Sequence, residues 1–100
     1  MPRGAKAQQP PRQGDRIQNW TLVRKIGSGT YGEVWEAKHS TLQGRYVLKL
    51  LYPYIDKAVA TNEANRIKDV GEGSLNVARI MDAGYSGKHR RPYIAMSYYP

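Results

Sequence analysis

Cysteine is absent from this 100-residue chain, which excludes disulfides and thiolate metal sites and permits a reducing compartment, with the cytoplasm as the default location. Long apolar runs are missing too. No stretch approaches the roughly 18 residues that a membrane span needs, so no span is expected in this segment. The N-terminus, Met1-Pro2-Arg3-Gly4-Ala5-Lys6, places no apolar stretch behind its positive charges and is not a secretory signal. The two histidines, His39 and His89, fall in no metal-ligand spacing and read as surface residues. Acidic residues are scarce as well, 8 against 16 basic, for a net charge of +8. One small domain fits this length and a second does not.

The excess of positive charge raises a nucleic-acid or anionic-membrane surface as a possibility, and its distribution argues against one. Residues 1–16 carry Arg3, Lys6, Arg12 and Arg16 against Asp15, and Lys88, Arg90 and Arg91 form a second cluster. The body between them, 17–87, holds nine basic and seven acidic residues. Basic character thus belongs to a tail and one loop, whereas a nucleic-acid face shows a basic stripe with aromatic residues interleaved. No nucleic-acid partner is expected.

Residues 1–16 contain three prolines and almost nothing apolar, too little to offset the entropy of ordering, and are expected to be a disordered basic tail. The remainder, 17–100, reads as one domain. Trp20–Ile26, Glu33–His39 and Arg45–Leu51 have the β-former content of three strands, joined by a glycine-rich turn and by Ser40–Gly44. Ile55–Val70 has alanine-rich helical texture, with Val59, Ala60, Ala64, Ile67 and Val70 at spacings near three and four, and Gly71 and Gly73 as its stop. Ala78–Ala83 and Tyr93–Tyr98 read as two further strands around a basic loop, Gly84–Pro92. The order is three strands, one helix, two strands.

Gly27-x-Gly29-x-x-Gly32-x-Val34 is the chemical centre, because glycines let backbone approach phosphate oxygens where a Cβ would obstruct. The residues after the third glycine separate the families that use such glycines. A dinucleotide fold needs a helix opening at that glycine, and here a β-rich segment succeeds it. A P-loop ends in Gly-Lys-Ser/Thr, and here Glu33 and Val34 come after Gly32. A glycine loop between two strands of a hairpin is left, either as a phosphate cover or as a ligand-free turn. Lys49 stands in Val47-Leu48-Lys49-Leu50-Leu51, where an ammonium is costly to bury unless paired or met by an anion; the bland alternative is a stem that packs while the ammonium reaches solvent. Strand alternation puts Val47, Lys49 and Leu51 on one face, a lysine beside an apolar wall.

From about Trp20 to Pro100 these residues resemble the eukaryotic-type protein kinase family, most closely its bacterial serine/threonine members. Gly27-Ser28-Gly29-Thr30-Tyr31-Gly32-Glu33-Val34 fits the family's glycine-rich loop, and Tyr46-Val47-Leu48-Lys49 is similar to its Val-Ala-Ile-Lys strand. Asn62-Glu63-Ala64 resembles the helix segment that carries the lysine's partner, Arg79–Gly84 the fourth strand, and Pro92–Pro100 the fifth strand and hinge. The fold this implies is α+β, a kinase N-lobe with a five-stranded antiparallel sheet and one main helix. The resemblance assigns catalytic support to Lys49, holding the α- and β-phosphates, and to Glu63, pairing with it; the alternative for Glu63 is a solvated surface acid. It assigns ATP contacts to Ile26, Gly27, Ser28, Gly29, Thr30, Tyr31, Gly32, Val34, Val47, Lys49, Met96, Ser97 and Tyr98. Among these, Met96 is the gatekeeper or plain core filler, and Ser97 and Tyr98 offer hinge backbone groups to the adenine edge.

Several residues depart from the pattern. Val47 stands where the family usually has alanine, Ser97 replaces an acidic residue, and the Lys49-to-Glu63 separation is shorter than usual. The His-Arg-Asp loop and the Asp-Phe-Gly segment are absent, so the Mg²⁺ ligands and the catalytic base are expected beyond Pro100, in a chain cut at the hinge. The expected whole is a protein serine/threonine kinase using ATP and Mg²⁺ on protein substrates, with this segment alone inactive. The alternatives are a pseudokinase or a nucleotide-binding or adaptor module without phosphotransfer.

Overall fold

The computed structural model describes residues 10–73 and 75–99. They form one antiparallel sheet and one helix, β1 (Arg16–Ile17), β2 (Trp20–Ser28), β3 (Gly32–His39), β4 (Tyr46–Leu51), α1 (Lys57–Val70), β5 (Asn76–Ser86) and β6 (Arg91–Tyr99). The sheet order is β1-β2-β3-β4-β6-β5. Successive hairpins build the first half, α1 leads away from β4, and β6 returns to lie between β4 and β5. The five expected strands are present, and β1 is a sixth.

That extra strand moves the tail's boundary. Residues 1–9 lie outside the described residues, but 12–16 are part of the fold. The Gly14 N–H donates to the Leu22 carbonyl at 2.7 Å and the Leu22 N–H to the Asp15 carbonyl at 2.9 Å. Two features missed by composition anchor the segment: Ile17 is buried, and Asp15 receives Lys88 Nζ at 3.0 Å and lies 3.0 Å from His89 Nε2. Burial pushes the Asp15 carboxyl up, and the hydrogen bonds from His89, Lys88 and the Arg12 N–H outweigh it, holding the group down at about 2.

His89 is buried rather than superficial, and His39 is half-buried at a turn. His89 is 1% exposed, with Nδ1 2.8 Å from Ser86 Oγ; the left-handed Arg90 (φ 57°) turns the chain so that the ring faces inward. His39 Nδ1 accepts from the Thr41 and Leu42 N–H groups at 3.1 and 3.0 Å, shaping the β3–β4 turn. The expected basic loop is mostly strand, and two of its cations are paired internally, Lys88 with Asp15 and Arg91 with Glu33.

Helix α1 starts at Lys57 because Asp56 caps it, its carboxylate accepting the Val59 N–H at 2.9 Å. Gly71, at φ 85°, ends it as expected, with its N–H on the Ile67 carbonyl. Every residue of β4 is buried, the condition in which a strand reads as a near-continuous apolar run. One face packs Val34, Val47, Leu51, Ile94 and Met96 against Ile67 of α1. The other collects Ile17, Trp20, Leu22, Trp35, Tyr46, Leu48, Leu50 and Tyr93. The sheet curls over this second cluster until its edges meet: Trp20 Nε1–H and the Tyr93 hydroxyl both donate to Asp82 Oδ2, at 3.0 and 2.9 Å. Burial and that carboxylate raise the Tyr93 phenol above its ordinary value.

Candidate functional site

The register of three strands assembles the candidate residues. Val34 lies opposite Lys49 across the β3–β4 pair, and Val47 lies opposite Met96 across the β4–β6 pair. Val34, Val47 and Met96 therefore share one apolar wall beneath the glycine loop, and Lys49 emerges beside it. Met96 is fully buried in that wall, so the filler role is real whatever else the residue does.

The three loop glycines differ in what the fold asks of them. A Cβ on Gly32 would fall 2.4 Å from the Leu50 carbonyl oxygen and 2.7 Å from the Leu51 Cα, so β3 could not approach β4 with any other residue there. A Cβ on Gly27 or Gly29 would meet nothing within 4 Å, and neither has a left-handed φ. Packing demands glycine at one position only. The other two leave open the surface of a cleft of about 280 Å³, lined by Ile26, Gly27, Ser28, Gly29, Val34, Glu72, Gly73 and Leu75. Ser28, Thr30 and Tyr31 are exposed along the loop, and Gly29 N–H donates to the Gly32 carbonyl at 2.9 Å to close its turn.

Lys49 and Glu63 are in direct contact, ammonium to carboxylate, with side chains 6% and 2% exposed. The shorter spacing between them does not prevent the pair, and Glu63 is not a solvated surface acid. Arg66, one turn along α1, grips the same carboxylate with Nε on Oε1 and Nη2 on Oε2, both at 2.8 Å. The Arg66 hydrogen bond, ahead of the opposing effect of burial and the bond from Lys49, lowers the Glu63 carboxyl below its ordinary value. The guanidinium's own affinity for its proton is raised by the same contacts.

Two members of this cluster are not among the expected site residues. Glu72 accepts from Lys49 Nζ with both oxygens at 3.0 Å and from Arg66 Nη2 at 3.0 Å. Arg66 is legible in retrospect as an (i, i+3) partner of Glu63. Glu72 carries no such signal, because it comes after the helix stop and is delivered by the left-handed Gly71 (φ 85°) and Gly73 (φ 56°) on either side.

At the expected hinge the structure differs at one group, the Tyr98 N–H. The Tyr98 N–H donates to the Arg45 carbonyl at 3.1 Å, and Ser97 pairs with Tyr46 on one side and Arg79 on the other. The Tyr98 N–H is thus engaged in the sheet and is not free for an adenine edge, because β6 continues through Tyr99. A larger groove, about 580 Å³, runs between α1 and β5–β6, lined by Ile55, Ala60, Ala64, Tyr85, Tyr93 and others. It is apolar and does not touch the Lys49 cluster.

A glycine loop closing a β-hairpin, a strand lysine paired to a helix carboxylate, and an antiparallel sheet with one helix together define the fold of a protein-kinase N-lobe. Solved structures bear this out. The PknI kinase domain of Mycobacterium tuberculosis superimposes with a TM-score of 0.63 at 25% identity, over 89% of this chain and 36% of that one. A mutant of the same domain gives 0.62 at 24% identity, over 90% of this chain and 37% of that one. Another solved kinase domain gives 0.65 at 18% identity, over 91% of this chain and 28% of that one. The chain therefore spans little more than a third of the PknI domain. No protein-family description matches it. Among the described residues no helix is long and apolar enough to cross a membrane, and no group of three or more His, Asp or Glu side chains is placed to hold a metal ion.

Proposed function

We propose that this chain is the ATP-binding lobe of a serine/threonine protein kinase, which transfers the γ-phosphoryl group of ATP to protein hydroxyls. The observation that carries the proposal is the buried Lys49–Glu63 pair, joined through Glu72 to the cleft beside a glycine loop whose first and second glycines are not required by packing. In this reading Gly27, Gly29 and Gly32 let backbone amides approach the phosphates, with Ser28, Thr30 and Tyr31 at the loop tip. Lys49 neutralises the α- and β-phosphates and Glu63 positions Lys49. Ile26, Val34, Val47 and Met96 enclose the adenine, and Ser97 contributes at its edge. Mg²⁺ would supply charge neutralisation at the phosphates, and the residues that would hold it, with the catalytic base, are expected in sequence beyond Pro100. Serine/threonine selectivity rests on resemblance alone, and a cytoplasmic location on the absence of cysteine.

The test is the reading frame downstream of the Pro100 codon. The proposal predicts roughly 150 or more further residues, by ordinary domain size, containing a catalytic-loop Asp and Asn and an Asp-Phe-Gly. A continuation lacking them would favour a nucleotide-binding or adaptor module without phosphotransfer.

A further inference from the structure

The cluster around Lys49 is electrically closed. Lys49 and Arg66 supply two positive charges, Glu63 and Glu72 two negative ones, and every carboxylate oxygen in it has a cationic partner. The two carboxylates differ in setting. Glu63 lies deep on α1 at 2% side-chain exposure, whereas Glu72, at 14%, borders the cleft opposite the glycine loop. An ammonium already held by two carboxylates offers no net attraction to an incoming phosphate. Glu72 also sits between two glycines in left-handed conformations, positions at which the backbone can turn without a Cβ penalty. A second cation is within its reach, because Arg66 Nη2 already contacts Oε1 at 3.0 Å and Arg66 is 44% exposed.

We propose that Glu72 is an internal stand-in for the nucleotide's phosphate, occupying Lys49 in the absence of nucleotide and releasing it, while keeping Arg66, when a nucleoside di- or triphosphate enters. This deepens the ATP-binding reading and rests on it. Glu63 stays with Lys49 throughout and Glu72 keeps Arg66, so no carboxylate is left buried and unpaired. The need for this release makes nucleotide affinity lower than the Lys49–Glu63 pair alone would set, by the fraction of molecules in which Lys49 is already taken.

The test is the dissociation constant of ADP, measured by titration calorimetry on the full-length protein and its variants. A carboxylate about 5 Å from a phosphate costs about two orders of magnitude at an effective dielectric near 20. Arg66 and solvent at the cleft mouth reduce this, so Glu72→Gln is expected to bind ADP about tenfold more tightly. Arg66→Gln, which removes the cation that Glu72 keeps, is expected to weaken binding several-fold in the wild-type background and much less in the Glu72→Gln background. Equal effects of Arg66→Gln in both backgrounds would mean that Arg66 serves Glu63 only, which overturns the release onto Arg66. Loss of binding in Lys49→Met with unchanged or weaker binding in Glu72→Gln overturns the stand-in role alone. Undiminished binding in Lys49→Met overturns the nucleotide site and the stand-in together. The comparison of Glu72→Gln with wild type decides the proposal even if Lys49→Met does not fold.

Discussion

Replacing Gly32 by alanine separates what the glycine loop does for the fold from what it is proposed to do for a nucleotide. The added methyl would lie 2.4 Å from the Leu50 carbonyl oxygen, 2.7 Å from the Leu51 Cα and 2.9 Å from the Leu50 carbonyl carbon. All three are backbone atoms of β4, so no rotamer change relieves the clash. Because β4 is buried on both faces, the strand cannot retreat without opening another contact. Overpacking costs about 1–3 kcal/mol, and an obstruction by backbone belongs at the upper end. The lower entropy of an unfolded alanine returns only about 0.4–1 kcal/mol. A net loss of about 2 kcal/mol corresponds to a fall in Tm on the order of 8–16 °C for a domain of this size. Gly29→Ala is the control: its methyl meets nothing, so stability should hold or rise by up to about 1 kcal/mol. Thermal unfolding followed by far-UV circular dichroism reads both variants. A Gly32→Ala variant melting with the wild type would refute the packing argument.

Glu63→Gln should destabilise the chain by about 2 kcal/mol, because Lys49 keeps Glu72 but Arg66 loses its bidentate partner; a denaturation midpoint equal to wild type would count against the cluster as a cohesive unit. Asp15 predicts an acid transition. Its folded value near 2 lies below the ordinary 3.8, so its contribution is fully present above pH 4 and is lost as pH falls through about 2. Wild type should therefore be more stable than Asp15→Asn at neutral pH, by about 1–2 kcal/mol after allowing for solvent, and the two should converge near pH 2. A gap independent of pH would show that the carboxylate's charge is not what holds the segment. Val47→Ala removes two methyl carbons from a fully buried site opposite Met96 and should cost about 1–3 kcal/mol. It should not weaken ADP binding in the full-length protein, since it widens the proposed adenine slot; a tenfold weaker affinity would argue against that slot.

Local patterns were sufficient where a residue's role depends on its neighbours in the chain. The glycine-loop hairpin, the buried β4 with Lys49 among apolar residues and the glycine stop of α1 are all of this kind. The contacts that remained illegible join distant segments. Asp15 meets Lys88 and His89 across more than seventy residues, and no composition window containing one shows the other. His89 looked superficial because the sequence around it, Lys88 to Arg91, is basic; the turn and Ser86 bury it nonetheless. Glu72 was hidden for a different reason. Its position depends on two glycine dihedrals after the helix, and glycine in sequence specifies permission to turn rather than the direction of the turn. Tyr98 shows the limit of analogy: its N–H goes to Arg45 because the strand runs on to Tyr99.

The central claim is that Lys49 serves phosphoryl transfer from ATP. Its most direct test is transfer of labelled γ-phosphate to a protein acceptor by the full-length protein, wild type against Lys49→Met. The account predicts incorporation on serine or threonine by the wild type and a loss of orders of magnitude in the variant. Equal transfer by the two proteins would contradict it.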